Sequence, residues 1–301
     1  MVWVSQPIPL LLCIWEGGRI LKTGTTFLYD GKSSSEFGVI VGGSGVTDSY
    51  EMGLDRSVIS GDINRFRTQV NHVAAKYDSV LKFSFSVIKD PCQYHGDDMF
   101  FTRQEIRNIN AWLTSQELPK ILYFPDDEED IYYYAVIDSV DSDVANTKVY
   151  KLTYDVTCNA PWGFSALKVA SSTYDINDPD SQLERNVVVV NTSDDTRSYI
   201  YPVITVEPHT SGNVTIVNNS DNSSNGNSLT IKVEEKDTVT IDCRLCTFMS
   251  LSGVMSLSDL GFEDVGNVYI PKLKYGENNI VFSGDADFKI EWREPRKVGI
   301  A

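Results

Sequence analysis

Phe101-Thr-Arg-Gln-Glu105-Ile-Arg-Asn-Ile109-Asn-Ala-Trp112-Leu113-Thr-Ser115 is the stretch that decides the fold. Thr102 and Glu105 stand in capping-box register, so each side chain can satisfy a loose backbone donor of the other. Ile106, Ile109 and Leu113 recur at helical spacing with Trp112 beside them, and Pro119 stops the run. The spacing predicts one short amphipathic helix, and everything around it reads differently.

Upstream, Val80 to Asp90 alternates, with Leu81, Phe83, Phe85 and Val87 on one face and Lys82, Ser84 and Ser86 on the other. Phe37 to Val41 is a short apolar strand ended by Gly42-Gly43. Between them lies a polar stretch containing Arg56-Ser-Val-Ile-Ser-Gly-Asp-Ile-Asn64. Downstream, Lys120 to Phe124 and Ile131 to Ile137 flank the acidic turn Pro125 to Asp130 and predict a hairpin. Lys148 to Cys158 alternates again, with Tyr150, Leu152, Tyr154, Val156 and Cys158 facing one way. A single helix set among strands makes residues 21–165 a β-rich α+β domain.

Asn159 to Ser198 shifts toward Pro, Asn and Asp, which predicts a linker over 166–200 with one strand, Asn186 to Val190. From 201 to 301 short strands are separated by Asn/Gly/Ser/Asp turns: Val203–Glu207, Val214–Asn218, Ser228–Glu234, Thr238–Cys243, Asn267–Pro271, Asn278–Ser283 and Phe288–Arg293. That spacing predicts an antiparallel β-sandwich, so the chain as a whole is mainly β. The sequence has no internal repeat that would make a solenoid or propeller.

The 301 residues have room for two cores. Asp and Glu outnumber Lys and Arg by 42 to 26, a net charge of −16, and such a surface repels a phosphate backbone. No stretch reaches the ~20 apolar residues of a membrane helix. Cys13, Cys92, Cys158, Cys243 and Cys246 are odd in number and mostly scattered, which predicts free thiols instead of a disulfide framework. Residues 1–20 match neither a signal peptide nor an anchor: Pro7 to Trp15 is apolar, but no basic residue precedes it. Glu16-Gly17-Gly18 reads as a translated ribosome-binding site, and we expect the native chain to start at Leu21.

No catalytic constellation emerges, so no catalytic, cofactor or metal residue is expected and the chain reads as a non-enzyme. His72, His95 and His209 are dispersed, without metal or triad spacing. Asp126 to Asp130 lacks the alternating order of a calcium loop and reads as a charged hairpin tip. Cys243-Arg-Leu-Cys246 has redox spacing but no second pair and no helix to open. Tyr132, Tyr133 and Tyr134, with Trp162 and Phe164, suit either a sugar-stacking platform or sheet and interface anchors. Interface is the reading adopted, with Trp112 added to the set.

Taken in order, several segments resemble the distal tail protein (Dit) family of long-tailed phages. They are Tyr29-Asp-Gly-Lys-Ser-Ser-Ser-Glu-Phe37-Gly-Val-Ile40, Arg56 to Asn64, the helix ending Ala111-Trp112-Leu113, and the strands through Tyr132–Tyr134. Cys158-Asn-Ala-Pro-Trp-Gly-Phe164 and Tyr201-Pro-Val-Ile204 complete the set. The resemblance implies an N-terminal belt domain closing into a hexameric ring and a C-terminal galectin-like sandwich. It implies as partners further copies of the chain, the tail tube protein, a tail-tip lysin-like protein and a receptor-binding protein; the net negative charge adds the expectation of an acidic lumen past which DNA slides without specific binding. The rival readings are a cell-wall saccharide-binding module and, behind it, a tail-associated hydrolase.

Overall fold

The computed structural model describes residues 25–42, 54–62, 69–77, 80–125, 130–175, 177, 184–221, 226–251, 253–262 and 268–297, with backbone alone for 54–62 and 69–77. The expectations for residues 1–20, the Leu21 start and most of the acidic run therefore lie outside the described residues. Two compact units emerge. The first holds the described residues up to 125 and Tyr134–Pro161; the second holds 130–133 and Trp162–Lys297.

In the first unit the strands are β1 (Leu28–Tyr29), β2 (Lys32–Ser33), β3 (Val39–Val41), β4 (Leu54–Asp62), β5 (Gln69–Tyr77), β6 (Lys82–Lys89), β7 (Lys120–Tyr123), β8 (Tyr132–Ala145, from Tyr134 on) and β9 (Lys148–Cys158). Helix α1 runs Arg103–Leu113, and its capping box forms as the sequence predicts: Thr102 N donates to Glu105 Oε2 at 2.7 Å and Glu105 N to Thr102 Oγ1 at 3.3 Å. The main sheet has the order β2-β1-β7-β8-β9-β6-β3. In it β6 and β9 pair with Phe83 opposite Val156 and Phe85 opposite Tyr154, so both predicted alternations deliver their apolar face to one side. Against that face α1 buries Ile109, Trp112 and Leu113. Each such side chain contributes roughly 1.5–3 kcal/mol. Phe27, Phe85 and Phe124 fill the space beneath, with ring centroids 5.1–5.8 Å apart.

Two features of this unit escape the sequence pattern. β8 continues eight residues past Ile137 to the tip before Asn146 and Thr147, whose φ values of 50° and 66° make a two-residue primed turn into β9. Its outer half, Asp138 to Ala145, is polar, so no alternation betrays it. β4 and β5 form a ribbon of nine residue pairs from Leu54↔Tyr77 to Asp62↔Gln69. Among the described residues this ribbon is a sheet of its own.

The second unit is the predicted sandwich. It comprises β10 (Gly163–Phe164), β11 (Lys168–Ser172), β12 (Glu184–Asn191), β13 (Val203–Pro208), β14 (Gly212–Asn218), β15 (Ser228–Val233), β16 (Val239–Asp242), β17 (Thr247–Ser250), β18 (Gly253–Val254), β19 (Gly276–Ser283), β20 (Ala286–Trp292) and β21 (Pro295–Arg296). One sheet is ordered β11-β20-β13-β16-β17-β18, the other β12-β19-β14-β15. Their inner faces meet through Ile204, Val206, Ile216, Ile231, Phe282 and Phe288, the last two rings stacked at 4.4 Å. Residues 166–200 do not act as a linker with one strand: β11 and β12 are the terminal strands of the two sheets. The segment read as a strand over Asn267–Pro271 is irregular where described. Tyr269, Pro271 and Leu273 are buried alternately, as a strand would bury them, but the sheet-like pairing is a single bridge from Leu273 to Ile200.

Candidate assembly interface

The residues read as interface anchors divide by their local packing. Trp112 is 5% exposed, stacked parallel to Phe37 at 4.3 Å, and its indole N–H donates to the Tyr29 carbonyl at 3.0 Å. It is a core residue with almost no surface to offer. Tyr133 is likewise buried, because alternate residues of β8 point inward. Tyr134 and Trp162 are partly exposed.

Tyr132 and Phe164 do come together: β10 pairs with β8 at this one position, and the Arg293 guanidinium lies over the Tyr132 ring at 5.1 Å. Gly163 permits the approach, since a Cβ there would sit 2.3 Å from Ile131 Cγ2. Behind Phe164, Ser165 and Glu294 fasten β10 to β21. Ser165 N donates to the Glu294 carbonyl at 2.9 Å and Glu294 N to Ser165 Oγ at 3.0 Å.

The Glu294 carboxylate is fully buried, 2.8 Å from Lys168 Nζ and 2.9 Å from Arg296 Nη2, and takes hydrogen bonds from Thr192 N and Oγ1 and from Trp292 Nε1. Burial alone would push its pKa up; the bonds from Lys168, Thr192 and Trp292 outweigh that and hold it down at about 2. In the first unit Glu105 shows the same balance. Burial pushes its pKa up, and Lys89 at 2.7 Å together with Thr102 brings it below the usual carboxylate range. Lys89 itself is 5% exposed, with the Tyr94 ring 4.6 Å away. These carboxylates are structural clamps, already engaged by their partners.

Surface free for a partner is found elsewhere. The outer half of the β8–β9 hairpin exposes Val140, Val144 and Tyr150 among Asp138, Asp141 and Asp143. Asp155 accepts from Ser139 and Ser84 at 2.5 and 2.6 Å, which lowers its pKa and keeps charge on this arm. On the sandwich, the terminal strands β11 and β12 expose Val169, Val188 and Val190, and Leu167 just before β11 is exposed too, all at 48–53%. Neither surface was marked by an aromatic cluster, the signal on which the sequence reading relied.

Among the described residues no group of three or more His, Cys, Asp and Glu side chains could hold a metal. No described helix is long and apolar enough to cross a membrane. A cleft of about 280 Å³ beside α1 is lined by Phe37, Tyr94, Glu105 and Asn108, and its carboxylate is the one already clamped by Lys89.

Comparison with known proteins supplies the rest. Residues 22–160 match the family described as the phage tail protein N-terminal domain, and residues 170–292 match the phage tail C-terminal domain. No curated protein sequence matches. Among solved structures, the Dit protein of phage SPP1, described as a paradigm of the hub adsorption apparatus in phages infecting Gram-positive bacteria, is similar. It superposes with a TM-score of 0.59 at 14% identity, over 89% of this chain and 98% of that one. A chain of the phage p2 baseplate in its activated conformation with calcium gives a TM-score of 0.46 at 10% identity, over 89% and 97%. With both domain families matched in order along nearly the whole chain, the chain belongs to the phage tail protein family.

Proposed function

We propose that the protein is a non-enzymatic hub at the distal end of a phage tail. In this reading copies of the chain, six by the family resemblance, close into a ring. The ring joins the tail tube to a tail-tip lysin-like protein and lets DNA pass through an acidic lumen without binding it. The observation that carries the reading is the β4–β5 ribbon. Among the described residues its nine pairs satisfy only the inner edges of the two strands. A lone two-stranded ribbon is marginal in water, so it gains most by adding to the sheet of another copy. Repeating that head-to-tail contact generates a ring once the rotation closes. The exposed valines of β11 and β12 then face outward as the docking strip for a receptor-binding protein.

The test replaces residues 54–77 with a short Gly-Ser turn. The variant is expected to fold with an intact sandwich and to remain monomeric where the parent chain forms rings. Rings from the shortened chain would remove the basis of the proposal.

A further inference from the structure

A ribbon that adds to the sheet of another copy needs a strand edge of matching length there. The main sheet ends in β2 and β3, of two and three residues, too short to answer a ribbon of nine pairs. A longer edge lies within the sheet. β8 has fourteen residues and its neighbour β7 only four. β7 ends at Tyr123 and β8 begins at Tyr132, so this partner covers only the start of β8. β10 meets β8 at Tyr132 alone. From Ser139 to Ala145 β8 pairs with β9 on one side, and among the described residues no strand borders the other.

That edge is exposed and dressed by its own side chains. Val140 and Val144 are 40% and 57% exposed. Ser142 N donates to the Asp141 carboxylate at 2.7 Å, the local bond a strand makes for itself where no other strand answers. The ladder to β9 shifts register between Ile137 and Ser139 and again between Asp143 and Val144. Bulges of this kind, with Asp138, Asp141 and Asp143, guard an edge against indiscriminate pairing.

The same charges select a partner. Two β8 edges side by side would set three aspartates against three, and like charges across strands are destabilising. A self-complementary contact is thereby disfavoured, and a head-to-tail one, as a ring requires, is left. The two ribbon strands differ in the same respect. β4 carries Asp55 and Asp62 with Arg56, whereas β5, Gln69-Val-Asn-His72-Val-Ala-Ala-Lys76-Tyr77, has one lysine and no carboxylate. At about 3.3 Å per residue β5 spans about 30 Å, against about 26 Å for Asp138 to Ala145.

We infer that β5 of one copy pairs along the outer half of β8 of the next, giving the continuous strand order β4-β5-β8-β9 across each boundary of the ring. This rests on the hub reading, since it names the edge on which the ring closes.

Photo-crosslinking on the full chain tests it, with p-benzoylphenylalanine in place of Ser142, which is exposed at the middle of the edge. Heavy-isotope-labelled and unlabelled copies are mixed before assembly, light scattering establishes rings, and peptide mass spectrometry locates the crosslink. The expected link joins two copies, from position 142 into Gln69–Tyr77. Rings whose links fall on β4, on β8 or on the sandwich, or stay within one chain, would overturn the pairing and leave the hub reading standing. Absence of rings from the parent chain would overturn both. Where the bulky group itself blocks assembly, charge decides. Asp141→Lys should need about threefold more protein than the parent to form rings, while Asp141→Asn, which keeps an acceptor for Ser142 N, should match the parent. An unchanged requirement in Asp141→Lys would overturn the pairing.

Discussion

The indole of Trp112 and the ring of Phe37 lie parallel, 4.3 Å between centroids and 1° between planes. This stack fastens the helix to the short 3-10 turn Ser34–Phe37, which carries its own capping box between Ser33 and Glu36. A residue expected at an interface thus organises the core of the first unit. Trp112→Ala should destabilise the protein by about 3–5 kcal/mol. Trp112→Phe keeps most of the volume but leaves the Tyr29 carbonyl without its donor, and should cost about 1–3 kcal/mol. Urea titration of both variants checks the order.

Removing either end of the Lys89–Glu105 pair should have unequal effects. Glu105→Ala strands a buried ammonium and undoes the helix cap, a loss of about 3 kcal/mol. Lys89→Met removes the charge and keeps the apolar stem, leaving a partly exposed Glu105 that water can solvate. Its loss should be the smaller, near 1 kcal/mol. Equal losses in denaturant midpoints would mean that the ion pair, and not the stranded charge, sets the energy.

Glu294 sets an acid dependence. Its pKa in the folded chain is depressed to about 2, below the unfolded value of 4.5. Its stabilisation is therefore present in full above pH 4.5 and drains away as the pH falls from there toward 2. Glu294→Gln should be less stable than the parent by about 2 kcal/mol at neutral pH, with the difference shrinking across that window. Thermal melts of both proteins between neutral and acid pH follow it.

Thiol reactivity separates the described cysteines. Cys158 and Cys243 are buried, and burial pushes their thiols up, to about 12 for Cys158. Cys92 and Cys246 are exposed. A thiol reagent on the native protein should modify Cys92 and Cys246 promptly and the other two only on unfolding. Peptide mapping of the labelled sites reads this directly.

How much the sequence reveals depends on what each element must bury. Helix α1, β6 and β9 carry one apolar face each, and their periods were legible together with the capping box. The sandwich strands were legible for the same reason. The outer half of β8 was not, because Asp138, Asp141 and Asp143 lie on an exposed arm where no face has to be apolar. Nor were the strand pairings of β11 and β12: Lys168 to Ser172 has little pattern of its own, and tertiary pairing with β20 makes it a strand. Aromatic content misled at Trp112 and Tyr133, since a large ring serves a core as readily as an interface. The burial of Arg185 gave no signal either, because its acceptor, the Gly284 carbonyl, lies 99 residues away along the chain.

Light scattering coupled to size exclusion, with negative-stain images, on the chain starting at Leu21 tests the central claim most directly. The account predicts a mass of six chains and six-fold rings with an open centre. A monomer at every concentration examined, with no ring in the images, would contradict it.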